Sequence, residues 1–279
     1  MDSSRNRTLN NLISFAKDPG LDVNLDTKAR GHRGFFLKNR IDISKDTPDE
    51  LLIATFIHEF SHYINSKLVP DIRKTTLENL FDSVDVSTIK RELIKVTNFV
   101  DENYECAILK SRKDSIKNRI KYYEKIIKEA YPNFQRSKPF KEFDKFIKRS
   151  KAKYLLKYDR VKYVSPFFRK VEYFSVDTIE KDFDMPKSFA AYIRLNSYKK
   201  KQARISAKIN KLKKYYESPQ ELFARFVEGL YTNKERIVAT APQSYSKFKQ
   251  LLNSGYYGEL DKVLQISGLN IETTYLSVK

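Results

Sequence analysis

Cysteine is almost absent: the 279-residue chain has one, Cys106, so it cannot form an intrachain disulfide and cannot be a disulfide scaffold or a cysteine-rich zinc finger. That scarcity fits a reducing compartment. Glycine (7) and proline (9) are sparse as well, and no long Gly/Ser or Pro-rich linker and no internal repeat is visible. Long apolar runs are missing too. The stretch Leu51 to Ile57 is interrupted by Thr55 and is far too short to span a bilayer, and Met1-Asp2-Ser3-Ser4-Arg5 lacks the apolar segment of an export signal. The expectation is a cytoplasmic protein without a transmembrane segment.

What is abundant is aromatic and basic. Hydrophobic residues make up 41% of the chain, with 18 Tyr and 19 Phe, so most of it should fold although 32% of residues are charged. Lys and Arg number 54 against 35 Asp and Glu, a net charge of +19 that predicts attraction to polyanions and says nothing of fold. The excess is regional: residues 107–170 hold 21 basic and 6 acidic side chains, and residues 197–214 hold 8 basic and none acidic. This divides the chain into an ordinary N-terminal part (1–106), a basic middle (107–214) and an ordinary C-terminal part (215–279).

The basic middle carries helical periodicity. Leu109, Ile116, Ile120, Tyr123, Ile127 and Ala130 fall on one stripe of a helix that Pro132 should end, and Ile205, Ile209, Leu212 and Tyr216 repeat the pattern. Two long helices packed as a hairpin through these stripes are expected. Between them, Val161 to Val176 reads as a short β-hairpin or an aromatic-packed loop around Pro166. The surface of this region is either a solvated helical arm or a phosphate-contacting face for non-specific nucleic-acid binding. Its cations are interleaved with Tyr and Phe, as base stacking requires, although aromatics at helical spacing also build cores. No helix-turn-helix, zinc-finger or RNA-recognition signature is present.

Chemistry concentrates in the N-terminal part. Thr47-Pro48-Asp49-Glu50 has the form of a helix start, with a capping Thr, Pro at the first helical position and acids over the positive end of the dipole, so a helix is expected from about residue 48 to about 66. Within it lies His58-Glu59-Phe60-Ser61-His62, holding two of the chain's three histidines. Histidines four apart stand one above the other on a single helix face, where their imidazoles can take two corners of a tetrahedral zinc site. Glu59 sits about 100° round the helix from His58, in reach of a metal-bound water and not of the metal. The metal lowers the pKa of that water, and the carboxylate can accept its proton. The alternative is a pair of packed, hydrogen-bonded histidines. The apolar neighbours Leu52, Ile53, Phe56, Ile57, Phe60 and Ile64 make the helix a buried one, and the preceding Gly34 to Leu37 and Ile41 to Ile43 read as one or two strands.

On His58, Glu59 and His62, after such strands, the chain resembles zincin metallopeptidases. The resemblance implies an α+β, predominantly helical fold with a small sheet, a zinc cofactor and a protein or peptide substrate that can pair with an edge strand. A third ligand is then needed. Asn65 and Leu68 stand where metzincins need Gly and His or Asp, and the third histidine, His32, lies upstream, so a carboxylate is expected, as in gluzincins. The best candidate is Glu221 in Ser218-Pro219-Gln220-Glu221-Leu222-Phe223-Ala224-Arg225, a second helix start in which small Ala224 would allow close approach to the first helix. A capping carboxylate folded back on its own helix is the competing reading. The string Ser-Pro-x-Glu-Leu-Phe-Ala-Arg-x-x-Glu also resembles the third-ligand helix of zincin-like domains in phage and mobile-element proteins. Glu102 and Glu105, much nearer in sequence to His62, are reserve ligands, and the long separation of Glu221 makes sense only if the basic middle is an insertion. Arg225 is expected to support a ligand carboxylate or form a salt bridge. Tyr63, Tyr215, Tyr216 and Tyr231 are all open as oxyanion donors. The implied activity is zinc-dependent peptide hydrolysis with Glu59 as general base. The alternative is a basic nucleic-acid-associated or protein-docking protein on an inactive scaffold of the same kind.

Overall fold

Period-3.6 patterning dominates the sequence, and the backbone follows it: in the computed structural model, which describes residues 3–28, 32–101, 106–136, 138–165 and 169–271, the chain is predominantly helical with two small sheets. In order run α1 (Ser3–Lys17), β1 (Asp22–Thr27), β2 (Gly34–Leu37), β3 (Arg40–Ser44), α2 (Leu52–Leu68), α3 (Leu77–Phe81), α4 (Val86–Val100), α5 (Ala107–Ala130), α6 (Lys138–Arg149), β4 (Arg160–Val164), β5 (Val171–Ser175), α7 (Ile179–Asp182), α8 (Lys187–Tyr216), α9 (Pro219–Thr240), α10 (Pro242–Asn253) and α11 (Leu260–Ile266). The fold is α+β and mostly helical. Contacts divide it into two compact units, one made of residues 1–105 and 213–279, the other of residues 106–212. Among the described residues no helix is long and apolar enough to cross a membrane.

In the first unit, β3 is the central strand, parallel to β1 and antiparallel to β2. Its Ile41, Asp42, Ile43 and Ser44 are all buried, as expected of a strand covered on both faces. A tight turn joins β2 to β3, with Lys38 at φ 56°. The helix α2 starts later than its sequence suggests. A 3-10 turn spans Asp49–Leu51, and Thr47 does not cap, because its hydroxyl donates to the Arg33 carbonyl across 2.9 Å and ties the approach segment to β2 instead. From Ile53 to Ser61 every residue of α2 is buried, so this is an interior helix, mostly apolar, with Thr55, His58, Glu59 and Ser61 as its buried polar side chains in that stretch.

β2 lies directly against α2. At Gly34 an added Cβ would come within 2.9 Å of Thr55 Cγ2 and 3.0 Å of Glu59 Oε1, so only glycine lets this edge strand approach the helix so closely. Helix α9 packs on α2 and α4. Its approach to α4 needs Gly229, where a Cβ would sit 3.0 Å from Val100 Cγ2. Phe81, Phe223, Phe226, Phe248 and Tyr257 form an aromatic cluster in this core. Each such side chain contributes about 1.5–3 kcal/mol by burial. The start of α10 is satisfied from outside: buried Glu92 of α4 accepts from the Gln243 and Ser244 N–H groups and the Ser244 hydroxyl.

The second unit has its own core, in which Ile116 and Ile120 of α5, Phe143 and Ile147 of α6, Ile179 of α7 and Phe189, Ala190, Ile193 and Tyr198 of α8 surround Phe134. The expected hairpin of long helices is thus only partial. The α5 stripe meets the first half of α8, while Ile209 and Leu212 stay half-exposed outside that core. The segment around Val161 to Val176 is a hairpin of β4 and β5.

Candidate metal centre

The two ligand-bearing segments are far apart in sequence and adjacent in space because α2 and α9 pack face to face. His58 and His62, one turn apart on α2, bring their Nε2 atoms within 3.2 Å of each other. From α9, Glu221 delivers Oε1 to 3.2 Å from His62 Nε2 and Oε2 to 3.6 Å from His58 Nε2. These side chains form the group of metal-ligating type found among the described residues. Donors each about 2.0–2.1 Å from a central ion at the corners of a tetrahedron are about 3.3 Å apart, so three of the four corners fit. Glu221 Oε2 is buried without a hydrogen-bond partner, an arrangement that a cation would satisfy. Glu102 and Glu105 lie outside the described residues, and His32 is exposed and apart from the group.

The capping alternative for Glu221 is not what α9 uses: the Ser218 N–H that a folded-back carboxylate would accept from donates to the Tyr215 carbonyl across 3.1 Å, as does the Ser218 hydroxyl. Ala224 is fully buried beside the ligand.

Behind the histidines stands a chain of buried charges. His58 Nδ1 lies 2.9 Å from Glu228 Oε2, and since a carboxylate can only accept, Nδ1 carries the proton, so that in the neutral ring Nε2 is left with its lone pair facing the ligand group. Arg225 donates through Nη1 to Glu228 across 2.9 Å and pairs through Nη2 with Asp101 Oδ2 at 3.0 Å, while its Nε stands 4.0 Å from Glu221 Oε2. Arg33 approaches the other Glu228 oxygen at 3.4 Å. Arg225 therefore forms salt bridges, and it holds the second carboxylate more closely than the ligand itself. The positions Glu221, Arg225 and Glu228 form an i, i+4, i+7 polar stripe on a helix whose residues from Glu221 to Leu230 are all buried. That stripe is the available sequence signal for Glu228; Arg33 and Asp101 join through long-range pairs that no local pattern marks.

Of the four tyrosines, Tyr215 is the one on which the Glu221 carboxylate acts electrostatically. Burial, then the charge of the Glu221 carboxylate, holds the Tyr215 phenol protonated far above its ordinary range. Tyr63 packs with Phe60 and Phe36, Tyr216 is buried with Arg225 over its ring, and Tyr231 packs against the core.

Electrostatics separates the carboxylates. Burial pushes Glu59 up, opposed by the two histidines. Glu221 is equally subject to burial, yet the close approach of His58 and His62 holds it far below the usual carboxylate range. Glu228 is likewise lowered against burial, by His58 and Arg225. Burial and Arg225 oppose protonation of His58, and the carboxylates Glu221 and Glu228 outweigh them, raising it to about 9. One carboxylate suited to take a proton thus stands beside one held as an anion, the division from which acid–base roles follow. No protein-family model, no curated protein and no solved structure matches this chain, so what the centre can do follows from its own geometry.

Proposed function

We propose that the protein is a zinc-dependent metallopeptidase of gluzincin type on a zincin-like core. The observation that carries this reading is the convergence of the His58 and His62 Nε2 atoms with the Glu221 carboxylate at separations of 3.2 to 3.6 Å. Two imidazole nitrogens and one carboxylate suit zinc, whereas calcium and magnesium favour all-oxygen shells. Zinc held there would polarise a water and a peptide carbonyl at the position left open by three protein ligands.

The remaining steps belong to the chain. Glu59, buried and raised, takes the proton of the attacking water and passes it to the leaving amine. Glu228 fixes the His58 tautomer, and Arg225 holds Glu228. Among the described residues β2 is bonded to β3 on one side only, and its Gly34 stands against Glu59, so an extended peptide added at the free edge of β2 would lie close to the centre.

The test is Glu59→Gln, assayed for metal content and for cleavage of a proteome-derived peptide library. The variant should retain zinc and lose roughly 10²–10⁴-fold in rate. Undiminished cleavage by that variant, or wild-type cleavage after complete zinc removal, would overturn the assignment.

A further inference from the structure

The net charge of the chain lies entirely in the second unit. Residues 106–212 contain 30 Lys and Arg against 11 Asp and Glu, whereas the first unit has 24 of each. Charge of this size on so small a unit attracts polyanions of many kinds. The β4–β5 ribbon supplies the chemistry that selects among them.

A two-stranded ribbon has two faces, and here they differ in kind. Val161, Tyr163 and Phe174 are the half-buried inner positions, with Val161 and Phe174 packed against the second core. The outer positions are Arg160, Lys162 and Val164 on β4 and Val171 and Tyr173 on β5. Glu172, the ribbon's one acid, is on the inner face and paired with Lys151. Lys162 and Tyr173 are directly opposite each other in the register, with the ammonium 6.0 Å from the ring centre. Tyr173 is 70% exposed, and Val164 and Val171 are exposed with it. Arg160 and Lys162 pair with no carboxylate among the described residues. A face that combines unneutralised cations with an open aromatic ring fits a polyanion that also offers flat apolar surfaces. An acidic protein would use the cations and leave the ring without a partner.

We infer that the outer face of the β4–β5 ribbon binds single-stranded nucleic acid, with a base stacked on Tyr173 and the flanking phosphates on Arg160 and Lys162. Stacking requires an unpaired base, which separates single strands from duplex. The inference does not rest on the metal centre.

The absence of tryptophan from the chain makes the test direct, because Tyr173→Trp introduces a unique emission signal. The full chain is titrated with oligo(dT) of about 20 nucleotides and with a duplex of equal length, at salt between about 50 and 200 mM. Tyr173→Trp should bind oligo(dT) with its emission quenched, and affinity should fall steeply with salt. Tyr173→Ala should bind about tenfold or more weakly, with unchanged circular dichroism. The inference is overturned if oligo(dT) does not bind at low salt, if duplex binds as well or better, or if Tyr173→Ala binds like wild type while Tyr173→Trp is not quenched. In the last case the charge binds elsewhere on the unit.

Discussion

Glu228 accepts the Nδ1 proton of His58 across 2.9 Å, from a helix that also provides Glu221. One helix thus supplies one member of the candidate ligand group and the side chain that orients another, so α9 cannot shift without disturbing both.

Glu228→Gln keeps the shape and removes the charge that fixes the His58 ring. Zinc affinity should fall about 10–100-fold, with secondary structure intact. Competition against a chromogenic chelator measures this, and an unchanged affinity would mean that Glu228 serves packing alone.

The sequence made part of this arrangement legible and hid the rest for definable reasons. The His58-Glu59-His62 spacing needs only a helix to have meaning, and the helix is written in its apolar neighbours. Glu221 was visible as an acid near a helix start, but its role depended on α2 and α9 meeting in space, a long-range contact that no local pattern records. Glu228 was overlooked because an acid two turns into a helix ordinarily points to solvent; only the burial of all its neighbours gives it a partner. Thr47 and Ser218 are examples of good capping residues whose side chains found other bonds, with the Arg33 and Tyr215 carbonyls, so the real boundary of α2 moved inward. β1 alternates Val23 and Leu25 with Asp22, Asn24 and Asp26, residues that strands disfavour, so its short pattern is weak by itself and pairing with β3 holds it.

Gly34 offers a test of the edge strand. In Gly34→Ala the new methyl group meets Thr55 Cγ2, Glu59 Oε1 and the Asp42 carbonyl at 2.9 to 3.1 Å, so β2 or Glu59 must move. Overpacking of this kind should destabilise by about 1–3 kcal/mol. Peptide cleavage should drop more than zinc binding does, because Glu59 is displaced and the ligands are not. Thr55→Ser removes the methyl nearest to the new atom and should restore part of the melting temperature; no restoration would show that the backbone contact at Asp42 dominates.

In the second unit, stability should weaken in acid. Burial would raise Asp159 and Glu180, but the hydrogen bonds and charges of Lys201 and Arg194 reverse that and leave both below their ordinary values. A carboxylate lowered in the folded state adds stability that is fully present above its unfolded pKa of about 4 and is lost as pH falls through the lowered value. Asp159 directly precedes β4 and pairs with Lys201 of α8, so the loss should be felt at the ribbon. Hydrogen exchange on the full chain should show β4 amide protection falling below about pH 4, and Asp159→Asn should flatten that dependence. Identical acid profiles for wild type and variant would exclude the pair as the cause.

The last prediction concerns Tyr215, which differs from the other three candidate tyrosines in standing under the charge of the Glu221 carboxylate. A hydrogen bond from the phenol to that carboxylate in the zinc-loaded protein would contribute about 1.5–3 kcal/mol and would restrain Glu221 in the orientation that faces both imidazoles. Tyr215→Phe removes the hydroxyl and keeps the ring, so the packing around it is unchanged. Zinc affinity should fall about tenfold or somewhat more by that bond energy, and turnover should recover when zinc is raised to saturation. A kcat that stays low at saturating zinc would contradict this positioning role and make the phenol a donor to the reacting carbonyl instead. Measuring kcat and zinc affinity separately on the same variant distinguishes the two, since the first role acts on loading and the second on the chemical step.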